Sequence, residues 1–214
     1  MYRLSQQQDI PQIISLWQTV FGETPILPPG LCFVAELEGR IVSMLHALPQ
    51  TLLADRAHKA YYLYAIGTDP NYRGQGICRQ LMAFAERALD ADCLVLVPAQ
   101  ESLFGFYETM GYKTAFTRHK TAFCGGEEIS MAQYLHLREA LLQSVPHMVY
   151  EDLSYAQRIY GLKFYKTASG ICAASEHFTA ECLPEDLGSV PCGMIKWLSN
   201  EVPLQSAYLG FTLE

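Results

Sequence analysis

The sequence predicts a mixed α/β fold, an α+β arrangement of sheet and flanking helices. Two observations carry that expectation. Within residues 61–113, an apolar aromatic run gives way to turn chemistry, a glycine loop, a helical pattern and a second short apolar run. On either side of that stretch, short strand-like runs recur between turn signals, with helical patterns interspersed.

Residues 2–4 read as a first strand. Ser5 or Asp9 can cap a helix carrying Ile13, Ile14, Trp17 and Phe21, with Pro11 tolerated in its first turn. Phe21-Gly22 ends it, and the three prolines within residues 24–30 make a loop. Residues 31–36 and 41–48 form a hairpin around Glu38-Gly39, and residues 58–66 are the next strand, so these runs suit an antiparallel half-sheet. Tyr61, Tyr62 and Tyr64 alternate across that strand, where packing is their default role. The strand breaks at Thr68-Asp69-Pro70-Asn71, and Arg73-Gly74-Gln75-Gly76-Ile77-Cys78 follows. Ile77, Leu81, Ala85 and Ala88 then share one helix face, and residues 93–97 make a short apolar strand. Leu103, Phe106 and Met110 mark a short helix that Gly111 can end. Residues 112–117 and 120–124 suggest a closing hairpin, with a boundary at Gly125-Gly126. Ser130 can cap a helix running to about Gln143, in which Leu135, Leu142 and the intervening Arg138-Glu139 give an amphipathic pattern. Residues 162–166, 170–175 and 177–182 read as short strands, with further candidates at 196–198 and 206–213.

Domains commonly run about 100 to 150 residues. A chain of 214 therefore suggests one complete domain, residues 1–125, and a smaller strand-rich region, residues 126–214. Half of the residues are hydrophobic, ample for a core, yet no run is long enough to span a membrane. The first ten residues lack the basic-then-apolar pattern of a signal peptide, so the expected compartment is the cytoplasm. A net charge of -7 with no basic block opposes nucleic-acid binding; an acidic surface attracts cationic amines, although simple solubility explains it as well. Seven cysteines, an odd number without a C-x-x-C pair, argue for reduced thiols rather than a disulfide framework or a zinc site. The six histidines lack metal-ligand spacing, and no metal is expected.

The strand–glycine loop–helix order has a chemical use. A helix start leaves backbone N–H groups without partners and carries partial positive charge. Glycines before it let the backbone turn and approach a phosphate closely. The loop has neither the GxxxxGK[ST] pattern of nucleotide hydrolases nor GxGxxG.

This stretch resembles the GNAT-type N-acetyltransferases. Their Gln/Arg-x-x-Gly-x-Gly/Ala motif at a strand-to-helix junction is matched by Arg73, Gly76 and Cys78, with Ile66 and Thr68 at the preceding strand end and Pro70 and Tyr72 similarly placed. Cys78 departs from the usual Gly or Ala but remains small. Residues 103–112, with Tyr107 followed by Gly111-Tyr112, resemble the family's next motif, and the resemblance covers roughly residues 2–123.

The resemblance implies a GNAT-like mixed central sheet and transfer of an acetyl group from acetyl-CoA, the co-substrate, to an amine of a small molecule or peptide. A free amine attacks a thioester directly, in a ternary complex. Residues 73–78 (Arg73, Gly74, Gln75, Gly76, Ile77 and Cys78) would hold the pyrophosphate through backbone N–H groups. Backbone groups at Ile66, Gly67 and Thr68 would pair with the pantetheine arm as an added strand does. The segment after the first helix would border the acceptor site, and one or two rings of the 61–64 cluster would line it. Tyr107 is the candidate acid for the departing thiolate, a core aromatic being the other reading. The general base is not readable: Glu36, Glu38, Glu101 and Glu214 are the carboxylates to consider, each also readable as a solvated charge. Cys78, close to a helix start, could carry a lowered thiol pKa or simply pack. The second region is either a degenerate half GNAT-like domain or a small added sheet domain, with three roles open to it: covering a sheet edge, shaping the acceptor cavity or forming a homodimer. A non-catalytic acyl-CoA-binding regulatory module is the alternative function.

Overall fold

The computed structural model describes residues 1–123, 125–188, 190–204 and 206–211. In chain order its first part comprises β1 (Tyr2–Leu4), α1 (Ile10–Phe21), β2 (Leu31–Leu37), β3 (Arg40–Leu53), β4 (Ala57–Thr68), α2 (Ile77–Ala88), β5 (Cys93–Leu96), α3 (Ser102–Glu108) and β6 (Lys113–Thr117). Then come β7 (Glu127–Ile129), α4 (Met131–Leu142), β8 (His147–Val149), α5 (Ser154–Tyr160), β9 (Lys163–Lys166), β10 (Ile171–Ala174), β11 (Thr179–Leu183) and β12 (Pro191–Trp197).

The local signals explain the early elements. Glu38 and Gly39 both take positive φ, 50° and 76°, the two-residue turn whose twist suits a hairpin. Pro11 sits in the first turn of α1, and Gly22 ends that helix in left-handed conformation. Ser130 and Gln133 form a reciprocal cap at the start of α4.

The main sheet runs β1-β2-β3-β4-β5-β12-β6, with β8 pairing the end of β3 at residues 51–53. Among the described strands of this sheet, β4 and β5 are parallel neighbours and the other strand pairs are antiparallel, so the sheet is mixed and helices flank it. Side chains alternate between its faces. On β2, Phe33 packs with Leu81, Met82 and Ala85 of α2, whereas Val34 packs with Ile13, Leu16 and Trp17 of α1. A second sheet, β11-β10-β9-β7, packs beneath α4 and α5 through Tyr134, Leu142, Ala156 and Phe164.

Three expectations need correction. Residues 120–123 do not close a hairpin, and Cys124 lies outside the described residues. The strand beside β6 is β12, paired from Pro191↔Thr117 to Ile195↔Lys113, and beyond Thr117 the chain turns toward the second sheet, with His119 N–H donating to the Asp186 carbonyl at 2.8 Å. Residues 126–214 therefore supply a strand inside the main sheet as well as its β8 edge. Second, Arg138 does not sit on a polar helix face. It is fully buried, its Nε 3.1 Å from Oε2 of the equally buried Glu181, which also accepts from the Tyr134 hydroxyl. Third, the expectation of reduced thiols fails at one pair. Cys172 and Cys182 lie opposite each other in the β10–β11 register and form a disulfide. Cys32, Cys78 and Cys93 are free.

Candidate active site

The site begins where β4 leaves β5. The parallel pairing runs from Ala60↔Cys93 to Leu63↔Leu96 and stops there, although β4 continues to Thr68. Residues 64–68 thus present a strand edge that β5 does not cover. A bulge sits at this point: Ala65 and Ile66 together oppose Leu45 of β3, and Ala65 takes a φ of 49°. Such an irregularity bends a strand and ends pairing. Gly67 lets α1 pack closely, because a Cβ there would lie 3.1 Å from Val20 Cγ1 and the valine would have to give way. Ser43 Oγ donates to the Gly67 carbonyl at 2.9 Å and holds the strand end against β3.

The glycine loop follows at once. Asp69 caps the turn that opens at Pro70, accepting from Asn71 N–H at 2.9 Å. Arg73 Nε donates to the Thr68 carbonyl at 3.1 Å, tying the loop to the strand. Gly74 and Gly76 both have φ of 75°, a conformation that strains any residue with a Cβ. Gly76 is the N-cap of α2 and brings no side-chain cap, so the first-turn N–H groups of α2 are not capped from that residue. Gln75 is exposed, whereas Ile77 packs against Ala35 and Val42 and contributes only backbone here. Cys78 packs with the α2 core cluster, and burial pushes its thiol up to about 11, so the lowered pKa expected near a helix start is not found. An uncovered strand edge beside two left-handed glycines and an uncapped helix start fits the shape and charge of acetyl-CoA.

A cavity of about 490 Å³ opens against the same strand edge. Ile66 and Tyr64 of β4, Trp17 and Phe21 of α1, Val97 beyond β5, and Leu103 and Tyr107 of α3 are among its walls. Tyr107 is the buried residue of α3, with its ring edge-on to Tyr112 at 6.0 Å between centroids. Burial raises its phenol above the ordinary value, so it stays protonated throughout the physiological range. Arg79 of α2 donates to the Thr109 carbonyl and hydroxyl at 3.1 and 2.7 Å, joining the helix after the glycine loop to the helix of Tyr107.

Of the tyrosines on β4, Tyr62 and Tyr64 line the cavity and Tyr61 packs on the opposite face. Of the carboxylates considered from sequence, the three described ones lie elsewhere. Glu36 pairs with Arg3 at 2.7 Å, Glu38 occupies the hairpin turn, Glu101 precedes α3 on the surface, and Glu214 falls outside the described residues. The carboxylate in the cavity wall is Glu23, just after the glycine that ends α1. Its signal was its place after the first helix. Tyr155, Ile159 and Tyr160 of α5 close the far wall, and sequence gave no sign of them. Tyr155 fixes the post-α1 loop by donating to the Ile26 carbonyl at 2.9 Å. His46, buried edge-on to Trp17 at 5.5 Å, has its imidazole pushed down to about 4 by burial and stays neutral. Among the described residues no group of His, Cys, Asp or Glu could hold a metal ion, and no helix is long and apolar enough to cross a membrane.

Comparison with solved structures gives the same architecture. A GCN5-related N-acetyltransferase from Anabaena variabilis ATCC 29413 superposes with a TM-score of 0.68 at 14% identity, covering 93% of this chain and 73% of that one. One from Kribbella flavida gives 0.66 at 13%, covering 92% and 72%. A probable N-acyltransferase from Enterococcus faecalis V583 gives 0.66 at 13%, with the same coverage of 92% and 72%. These likenesses show the fold alone. No curated protein sequence matches the chain. Residues 1–115, over half of the chain, match the family model described as an acetyltransferase (GNAT) domain, and the chain therefore belongs to the GNAT acetyltransferases, the family of acetyl-CoA-dependent acetyl transfer.

Proposed function

We propose that the protein is an N-acetyltransferase that moves the acetyl group of acetyl-CoA to an amine acceptor, a small molecule or peptide, by direct attack in a ternary complex. One observation carries this reading: the uncovered edge of β4 and Tyr107 share one cavity wall, and the glycine loop follows that edge directly, tied to it by Arg73 Nε on the Thr68 carbonyl. The backbone of Ile66, Gly67 and Thr68 pairs with the pantetheine arm, and the N–H groups of residues 73–78 hold the pyrophosphate. The amine nitrogen forms its bond to the carbonyl carbon as the C–S bond breaks. The electron pair leaves on sulfur, and Tyr107 supplies the proton to that thiolate. The amine enters from the side of α1 and α5, where its own proton passes to solvent or to a wall group. Cytoplasmic location belongs to this proposal, as does action as a soluble enzyme without nucleic acid.

The test is thiol release from acetyl-CoA over an amine panel, beside calorimetry of CoA binding. Amine-dependent release with equimolar N-acetylated product is expected. Tight CoA binding with no turnover on any amine would assign a non-catalytic acyl-CoA-binding module instead.

A further inference from the structure

The cavity walls name a narrower acceptor class, an inference that rests on the acetyl-transfer reading. Besides Tyr107, six aromatic residues line it: Trp17, Phe21, Tyr62, Tyr64, Tyr155 and Tyr160. They form one connected surface. Trp17 is edge-on to Phe21 at 5.2 Å and to Tyr64 at 5.8 Å, and Tyr64 stacks on Tyr62 at 6.3 Å. Tyr155 and Tyr160 of α5 complete the lining. Among all the lining residues Glu23 alone carries a charge. It is exposed, at the mouth, and its negative field reaches Tyr64, whose phenol burial and Glu23 together raise.

We propose that the acceptor is a primary monoamine with an aromatic or branched apolar body, whose ammonium is drawn in at the mouth by Glu23 and whose body then lies among these rings. Aromatic faces attract a cation and bury an apolar body, and a cavity of about 490 Å³ suits a small molecule. A polyamine fits poorly. Its second ammonium would sit against apolar walls without a counter-charge. A neighbouring cavity that shares Tyr62 and Tyr155 does include Glu151 and Asp152, but Asp152 already accepts from Ser154 N–H at 2.8 Å and from its hydroxyl at 2.6 Å. A peptide would bring backbone amides against walls whose polar groups are mainly tyrosine hydroxyls, and that of Tyr155 is already given to the Ile26 carbonyl at 2.9 Å.

The experiment compares 2-phenylethylamine, spermidine and a glycyl tripeptide as acceptors, with wild type and Glu23→Gln. Wild type should show kcat/KM for 2-phenylethylamine at least about tenfold above the other two. In Glu23→Gln, kcat/KM for 2-phenylethylamine should fall about tenfold through KM, with the acetyl-CoA KM unchanged. Calorimetry on the CoA-bound protein reads recognition apart from turnover: 2-phenylethylamine should bind about tenfold more tightly than 2-phenylethanol, and Glu23→Gln should erase the difference. Preference for spermidine or the tripeptide, or a Glu23→Gln defect confined to kcat, overturns the proposal. Charge-dependent binding without any turnover would leave this recognition standing and sink acetyl transfer itself.

Discussion

Tyr107 is fixed in place by packing and turned to use by position. Its ring belongs to the core with Leu81, Met82 and Tyr112, and the same side chain forms part of the cavity wall, so the two readings open in the sequence are compatible. Tyr107→Phe keeps the ring. Turnover should fall about 100- to 10,000-fold while the melting temperature and CoA affinity hold. Single-turnover chemistry with one good amine reads this directly, and equal rates would reduce Tyr107 to packing. Arg138 shows the limit of reading residues one at a time. Glu181, its partner, lies 43 positions further along, and the pair is buried by Tyr150 and Tyr208, which flank the guanidinium at 4.9 and 5.8 Å. A charge beside Glu139 on a helix looks solvated until tertiary structure supplies the partner. Glu23 was legible only through its place after the first helix; that it stands in a cavity wall depends on α5, far along the chain.

The glycine loop was the most legible element, because its conformation is set locally. Gly74 and Gly76 sit at φ of 75°, and a turn, a glycine pair and an apolar helix face are all visible within twenty or so positions. Gly76→Asp places a Cβ where left-handed backbone costs about 1–2 kcal/mol and adds negative charge at the proposed pyrophosphate cradle. CoA affinity should drop about 100-fold or more by calorimetry, with the fold retained by circular dichroism; unchanged affinity would place the cofactor elsewhere. Short elements were the least legible. β7 and β8 are three residues each, and α5 is seven, lengths at which propensity decides little and packing decides the outcome. The misreading of residues 120–124 has the same origin, since an apolar run beside a strand looks like its partner when the real partner is far along the chain.

At the scale of the whole molecule, the two halves share one sheet. Residues 1–125 carry the glycine loop and the Tyr107 helix, yet β5 and β6 do not touch as neighbours; Met194 and Ile195 of β12 pair to both sides. Ala115, Phe116, Met148, Ala207 and Leu209 fill one cluster across the proposed boundary. A chain ending at residue 125 should therefore be insoluble or molten when expressed alone, because it exposes that cluster and two unpaired strand edges. A soluble monomer with a cooperative melt would refute this. The inserted strand also imposes a schedule on biosynthesis. The ribosome releases β5 and β6 early and β12 late, several seconds later at about 5–20 residues per second. Through that interval the nascent chain keeps a vacant slot in its central sheet, with the facing edges of β5 and β6 unpaired.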